Sequence, residues 1–116
     1  MNNNFLTQQR ARLLAMREAD RQTLQQLQAE TAEGIAETEV KEREETAAIN
    51  TQHEIDMAES NLLQERLADI DRALHAIDDG QYGVCDRCGK SIKQERLAAN
   101  PSARYCLACQ TIVDAA

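Results

Sequence analysis

Leu63, Leu67, Ile70, Leu74 and Ile77 recur at alternating spacings of four and three, the a/d seam of a helix that packs against a partner. Upstream the same positions hold Ser60, Asp56 and His53, with Ile49 further back, so the seam turns polar toward that end. Leu6, Leu13, Met16, Thr23 and Leu27 follow a similar, weaker pattern, which Asp20 interrupts and Leu24 and Ile35 broaden. The pattern predicts two helices, approximately residues 4–38 and 47–79. Neither buries its stripe alone, and antiparallel pairing through a short connection is the simplest solution. At about 1.5 Å per residue each arm would reach roughly 50 Å. One continuous dimerising helix is the rival arrangement, and no proline forbids it. The hairpin is favoured because the polar stretch falls midway between two seams of similar length.

The helix ends carry their own signals. Asp78-Asp79-Gly80 is a stop, with Gly80 suited to the left-handed C′ position. Gly34 either ends the first helix early or sits inside it at a cost of about 1 kcal/mol relative to alanine. Thr51 and Glu54 fit a capping box, and Thr46 is an alternative start. The bend therefore belongs between residues 36 and 50, with its tip near 38–47. Pro101 ends any helix through Ile92–Ala99, because the residue before a proline avoids helical angles.

Composition points the same way. The chain has 116 residues with one Phe, two Tyr, no Trp, one Pro and four Gly, too few aromatics for a thick globular core. The formal net charge of −7 is unevenly spread. Residues 1–35 are neutral, whereas residues 36–60 carry Glu37, Glu39, Glu42, Glu44, Glu45, Glu54, Asp56 and Glu59 against Lys41 and Arg43. An acidic bend repels a phosphate backbone and attracts a basic surface or a divalent cation, although a solvated helix surface has the same composition. Direct DNA binding is disfavoured, with Arg87, Lys90, Lys93, Arg96 and Arg104 forming at most a modest basic face.

Every cysteine lies in one of two pairs, Cys85-Asp-Arg-Cys88 and Cys106-Leu-Ala-Cys109, separated by 17 residues. This spacing is a four-thiolate zinc pattern. Four thiolates around one Zn²⁺ leave no position open for substrate, so the ion is structural and no enzyme is expected. Gly89 supplies the positive φ that the first turn calls for, and Gln110–Val113 reads as a short helix after the second pair. Tyr82 and Tyr105 flank the pairs and should cover the metal or pack on the hairpin base. A finger of about 30 residues is too small to fold by burial alone, so zinc should supply its folding free energy. His53 and His75 lie inside the helices and read as surface residues. No signal-peptide core or membrane span is evident, which implies a cytoplasmic protein with reduced thiols.

Gly80-Gln81-Tyr82-Gly83-Val84-Cys85-Asp86-Arg87-Cys88-Gly89-Lys90-Ser91-Ile92, Arg96-Leu97-Ala98-Ala99-Asn100-Pro101 and Cys106-Leu107-Ala108-Cys109 together resemble the zinc finger of the DksA/TraR family. The preceding helical pair fits that family's architecture. The resemblance implies an all-α fold, with an antiparallel coiled-coil hairpin over 1–79, then a four-cysteine zinc finger and a short terminal helix over 80–116. It also implies a bacterial transcription regulator that binds RNA polymerase. The coiled coil would enter the secondary channel, its tip near the catalytic centre, and alter open-complex stability.

Counting back from Cys85 without gaps, the family's tip pattern Asp-x-x-Asp-x-Ala falls on Glu42, Glu45 and Ala47. Both acids are kept, each one methylene longer. The basic positions that the family's main member uses beside the alarmone ppGpp fall on Leu62, Asp69, Asn100 and Gln110, none of them cationic. Little or no ppGpp synergy is therefore expected. Apart from the resemblance, the residues also fit a zinc-finger coiled-coil adaptor or a thiol or zinc sensor that binds another protein.

Overall fold

The computed structural model describes the backbone of residues 1–40 and 46–115, and the side chains of residues 1–30 and 51–115. The described residues form four helices and no strand: α1 (Asn3–Val40), α2 (Thr46–Asp78), α3 (Gln94–Ala99) and α4 (Leu107–Ala115). A single antiparallel bridge joins Val84 to Ser91. The chain divides into two compact units, one of Met1–Arg17 with Ala68–Ala116, the other of Glu18–Leu67.

In the first unit the α2 seam does what its spacing predicts. Ile70 and Leu74 are buried, and Leu13 of α1 is fully enclosed with Ile70. The core continues into the segment after α2 through Tyr82, Cys85, Ile92, Leu97 and Cys109. Fully burying a side chain such as Leu13, Ile70 or Leu97 is worth about 1.5–3 kcal/mol, so this shared core supplies burial that the finger lacks by itself. Arg10 pairs with Asp78, and Arg17 with Asp71 at 3.4 Å, which fixes α1 and α2 as antiparallel.

Gly80 ends α2 as its sequence indicates. Its φ is +72°, its N–H donates to Ile77 (3.2 Å), and Gln81 donates to Ala76 (2.8 Å), which makes a Schellman closure. Nothing lies within 4 Å of a Cβ built there, so the requirement is one of backbone angle and not of space.

In the second unit Asp20 is 5% exposed and accepts a two-pronged hydrogen bond from Arg66, at 2.8 and 3.0 Å. The polar seam positions His53, Asp56 and Ser60 remain half-buried, as do Leu63 and Leu67. Two expectations for α1 need correction. Thr23 is exposed and bonds back to the Ala19 carbonyl, leaving Leu24 and Leu27 half-buried in its place. Asp20 does not interrupt the stripe but occupies it. Helix limits also differ in detail: α1 runs through Gly34 to Val40, and α2 starts at Thr46, which places Thr51 and Glu54 inside it.

Candidate functional site

The first cysteine pair sits on a turn built by glycines and backbone hydrogen bonds. Cys85 N–H donates to Lys90 O (2.8 Å), Gly89 N–H donates back to Cys85 O (2.9 Å), and Ile92 N–H donates to Gly83 O (2.7 Å). Gly89 has φ +73°, as its place after Cys88 anticipates. Gly83, at φ +84°, has a second reason to be glycine: a Cβ there would lie 2.6 Å from Met1 Cε and 3.1 Å from Leu97 Cδ1. The second pair straddles the start of α4, which begins at Leu107. Gln110 N–H donates to Cys106 O (2.9 Å), so Cys109 lies in the first turn.

These two supports bring the four sulfurs of Cys85, Cys88, Cys106 and Cys109 within 4.8 Å of one another. Cys88 and Cys106 are 3.9 Å apart. A tetrahedral ion with Zn–S bonds of about 2.3 Å needs sulfurs roughly 3.8 Å apart, so the donor set fits zinc in number, type and spacing. The four cysteines would hold one structural Zn²⁺, whose chemistry is to fold and close the finger. Burial opposes charge on Cys85, yet backbone donors from Cys88, Cys106 and Arg87 hold its pKa at about 6. Burial, with the other three thiols alongside, pushes Cys109 up to about 12. Zinc takes all four as thiolates, so its binding displaces whatever protons they still carry.

A buried polar cluster ties this turn to α1. Gln9, 2% exposed, donates from Nε2 to the Tyr82 hydroxyl (3.0 Å) and to Leu97 O (2.7 Å). Tyr82 donates onward to Pro101 O (2.7 Å), while Arg12 donates to Gln9 Oε1 (2.9 Å) and Ala98 O (2.7 Å). Tyr82 thus packs on the hairpin base. Tyr105 lies under the Arg104 guanidinium, 5.2 Å from its ring centre. Sequence reasoning missed Gln9, although it stands three residues from Leu6 and four from Leu13 and so falls on the seam.

Beside the finger an open cleft of about 330 Å³ is lined by Asp69, Arg72, Asp86 and Arg104 among others. Arg104 donates to Asp86 at 2.7 Å, Arg72 approaches the same carboxylate at 3.7 Å, and Arg72 also pairs with Asp69 at 3.1 Å. These charges compensate one another.

The expected tip residues stand differently. Glu42 and Glu45 lie outside the described residues, and Ala47 falls in α2 where its side chain is not described. Of the four positions expected to lack cationic character, Leu62 is 65% exposed and Asp69 is paired with Arg72. Asn100 closes α3 through its N–H to Arg96 O and accepts from Ser102, and Gln110 donates to Asp114. His75 is exposed and bonds to the Asp71 carbonyl. Among the described residues the four cysteines are the only group placed to hold a metal. No helix of the described residues is long and apolar enough to cross a membrane.

Comparison with known proteins extends the picture. The family model described as the prokaryotic dksA/traR C4-type zinc finger matches residues 80–115. The RNA polymerase-binding transcription factor DksA of Caulobacter vibrioides is 29% identical over 114 residues, covering 95% of this chain and 76% of that protein. An uncharacterized protein of Aquifex aeolicus is 46% identical over 55 residues, covering 47% of this chain and 38% of its own length. The match thus spans only about two fifths of that relative. The solved structure of transcription factor DksA2 from Pseudomonas aeruginosa superposes with a TM-score of 0.82 at 21% identity, covering 98% of this chain and 86% of that one, a likeness of fold.

Proposed function

We propose that this chain is a DksA-like member of the DksA/TraR zinc-finger family, a transcription regulator that binds RNA polymerase through the secondary channel. The observation that carries the reading is the match to Caulobacter DksA along 95% of the chain, helices as well as finger. The zinc finger forms the base, where Tyr82, Leu97 and Cys85 share a core with Leu13 and Ile70. In this reading Glu42, Glu45 and Ala47 are the acting tip residues, and the negative charge of Glu42 and Glu45 works close to the polymerase active centre and modulates open-complex stability. The protein works by binding, in the cytoplasm, and the closed four-thiolate site takes no part in catalysis.

Synergy with ppGpp is weak or absent in this reading. An anionic pyrophosphate needs cationic donors, and Leu62, Asp69, Asn100 and Gln110 offer none. Asp69 adds a carboxylate already committed to Arg72.

A pull-down with core RNA polymerase tests the proposal, with Glu45→Arg as the control. Binding that depends on the acidic tip supports it. Retention of some other protein, with no retention of polymerase, points instead to an adaptor.

A further inference from the structure

Gln9 and Asp20 are the buried polar side chains of α1 among the described residues, and both stand on its apolar seam. Gln9 is satisfied by the finger. Asp20 is satisfied by α2 alone, through Nε and Nη2 of Arg66. A leucine at a seam position would bury apolar surface without the cost of desolvating a carboxylate. A polar pair in such a place is a known device for selecting one helix register over its neighbours.

The pairing numbers show what the register decides. In antiparallel helices the numbers of facing residues average to the point where the chain reverses. Arg10 with Asp78, and Arg17 with Asp71, both average 44, while Asp20 with Arg66 averages 43. The last residue of α1, Val40, and the first of α2, Thr46, also average 43. The first two pairs are formed by substantially exposed side chains and discriminate little. Asp20 is the one buried carboxylate of the three.

A slip of one heptad keeps leucine and isoleucine facing the seam, so the seam's apolar contacts discriminate little. Polar pairs decide: the Gln9 bonds to Tyr82 and Leu97 at the finger end, and Asp20–Arg66 further along. The slip would move Asp20 from Arg66 to a residue seven positions away, Ala73 or Glu59. The first leaves the buried carboxylate unpaired, and the second sets it against a like charge. The same slip shifts the reversal point by 3.5 residues.

We propose that the Asp20–Arg66 pair is a register lock: it selects one alignment of α1 with α2 over the heptad-shifted alternatives, without itself touching polymerase. The consequence for polymerase rests on the function proposed above, whereas the lock itself does not.

The test uses the full chain with zinc bound, comparing the parent with Asp20→Leu/Arg66→Leu and with the near-isosteric Asp20→Asn. Backbone NMR reads the number of registers, and titration with core polymerase reads the apparent affinity. Both variants should stay helical and bind one zinc. The doubly apolar variant should melt no lower than the parent yet show a second set of α1 and α2 amide resonances. Polymerase affinity should then fall in proportion to the fraction of molecules that keep the parent register. A pair that merely stabilised the fold would lower the melting temperature and leave one set of resonances. A single set with parental inter-helix contacts in both variants overturns the proposal. If the parent itself fails to bind polymerase, the functional reading falls and the resonance count still decides the lock.

Discussion

Gln9 Nε2 donates to the Tyr82 hydroxyl at 3.0 Å across 73 residues of sequence, and both side chains are buried. This bond joins the first turns of α1 to the finger. Leucine at position 9 would match the apolar seam yet strand the Leu97 carbonyl and remove one of the two acceptors of Arg12. An unsatisfied buried acceptor costs about 1–3 kcal/mol, which should appear as that loss in urea denaturation of Gln9→Leu. Tyr82→Phe removes a donor to Pro101 and should cost less, about 1 kcal/mol.

Tyr82 also gives a dependence on pH. Burial raises its pKa above the ordinary value of 10.0, against a lowering by Gln9 and by the Arg12 charge. Above pH 10 the unfolded chain loses this proton before the folded one, so the folded state binds more protons there. The contribution is therefore fully present below pH 10 and is lost as pH rises through the folded value. Alkaline unfolding curves should show this loss in the parent, and Tyr82→Phe should flatten it.

The glycines of the finger should not tolerate alanine equally. At Gly89 the penalty is the left-handed backbone alone, about 1–2 kcal/mol. At Gly83 the added methyl also meets Leu97 Cδ1 and the flexible end of Met1. Cobalt or zinc titration should show weaker metal binding for both variants, with the larger loss in Gly83→Ala.

Removing zinc should unfold the finger first. Structural zinc in fingers contributes about 10–16 kcal/mol, far more than the remaining contacts of so small a segment. Hydrogen exchange after chelation should show residues 81–110 losing protection ahead of the α1–α2 pair. Serine at Cys85 or Cys109 should have the same effect without chelator.

What could be read in the sequence was local. Zinc ligands two residues apart, glycine after Cys88, glycine after Asp79 and the 4-3 repeat from Leu63 to Ile77 each need only neighbouring residues to make sense. Gln9, Asp20 and Gly83 do not. Their partners are Tyr82 and Leu97, Arg66, and Met1 with Leu97, distant in sequence, so Asp20 looks like a break in the stripe until Arg66 is placed beside it. Thr51 and Glu54 present the reverse case: a capping pattern that α2 passes through because helix continues upstream to Thr46.

The account turns on whether the acidic bend seats this protein in polymerase. Competition for core RNA polymerase against a known secondary-channel factor measures it directly, with the parent and Glu45→Arg side by side. The parent should displace the factor at a single site, and Glu45→Arg should do so much more weakly while retaining its zinc and its helices. Failure of the parent to compete, or equal competition by Glu45→Arg, would contradict it.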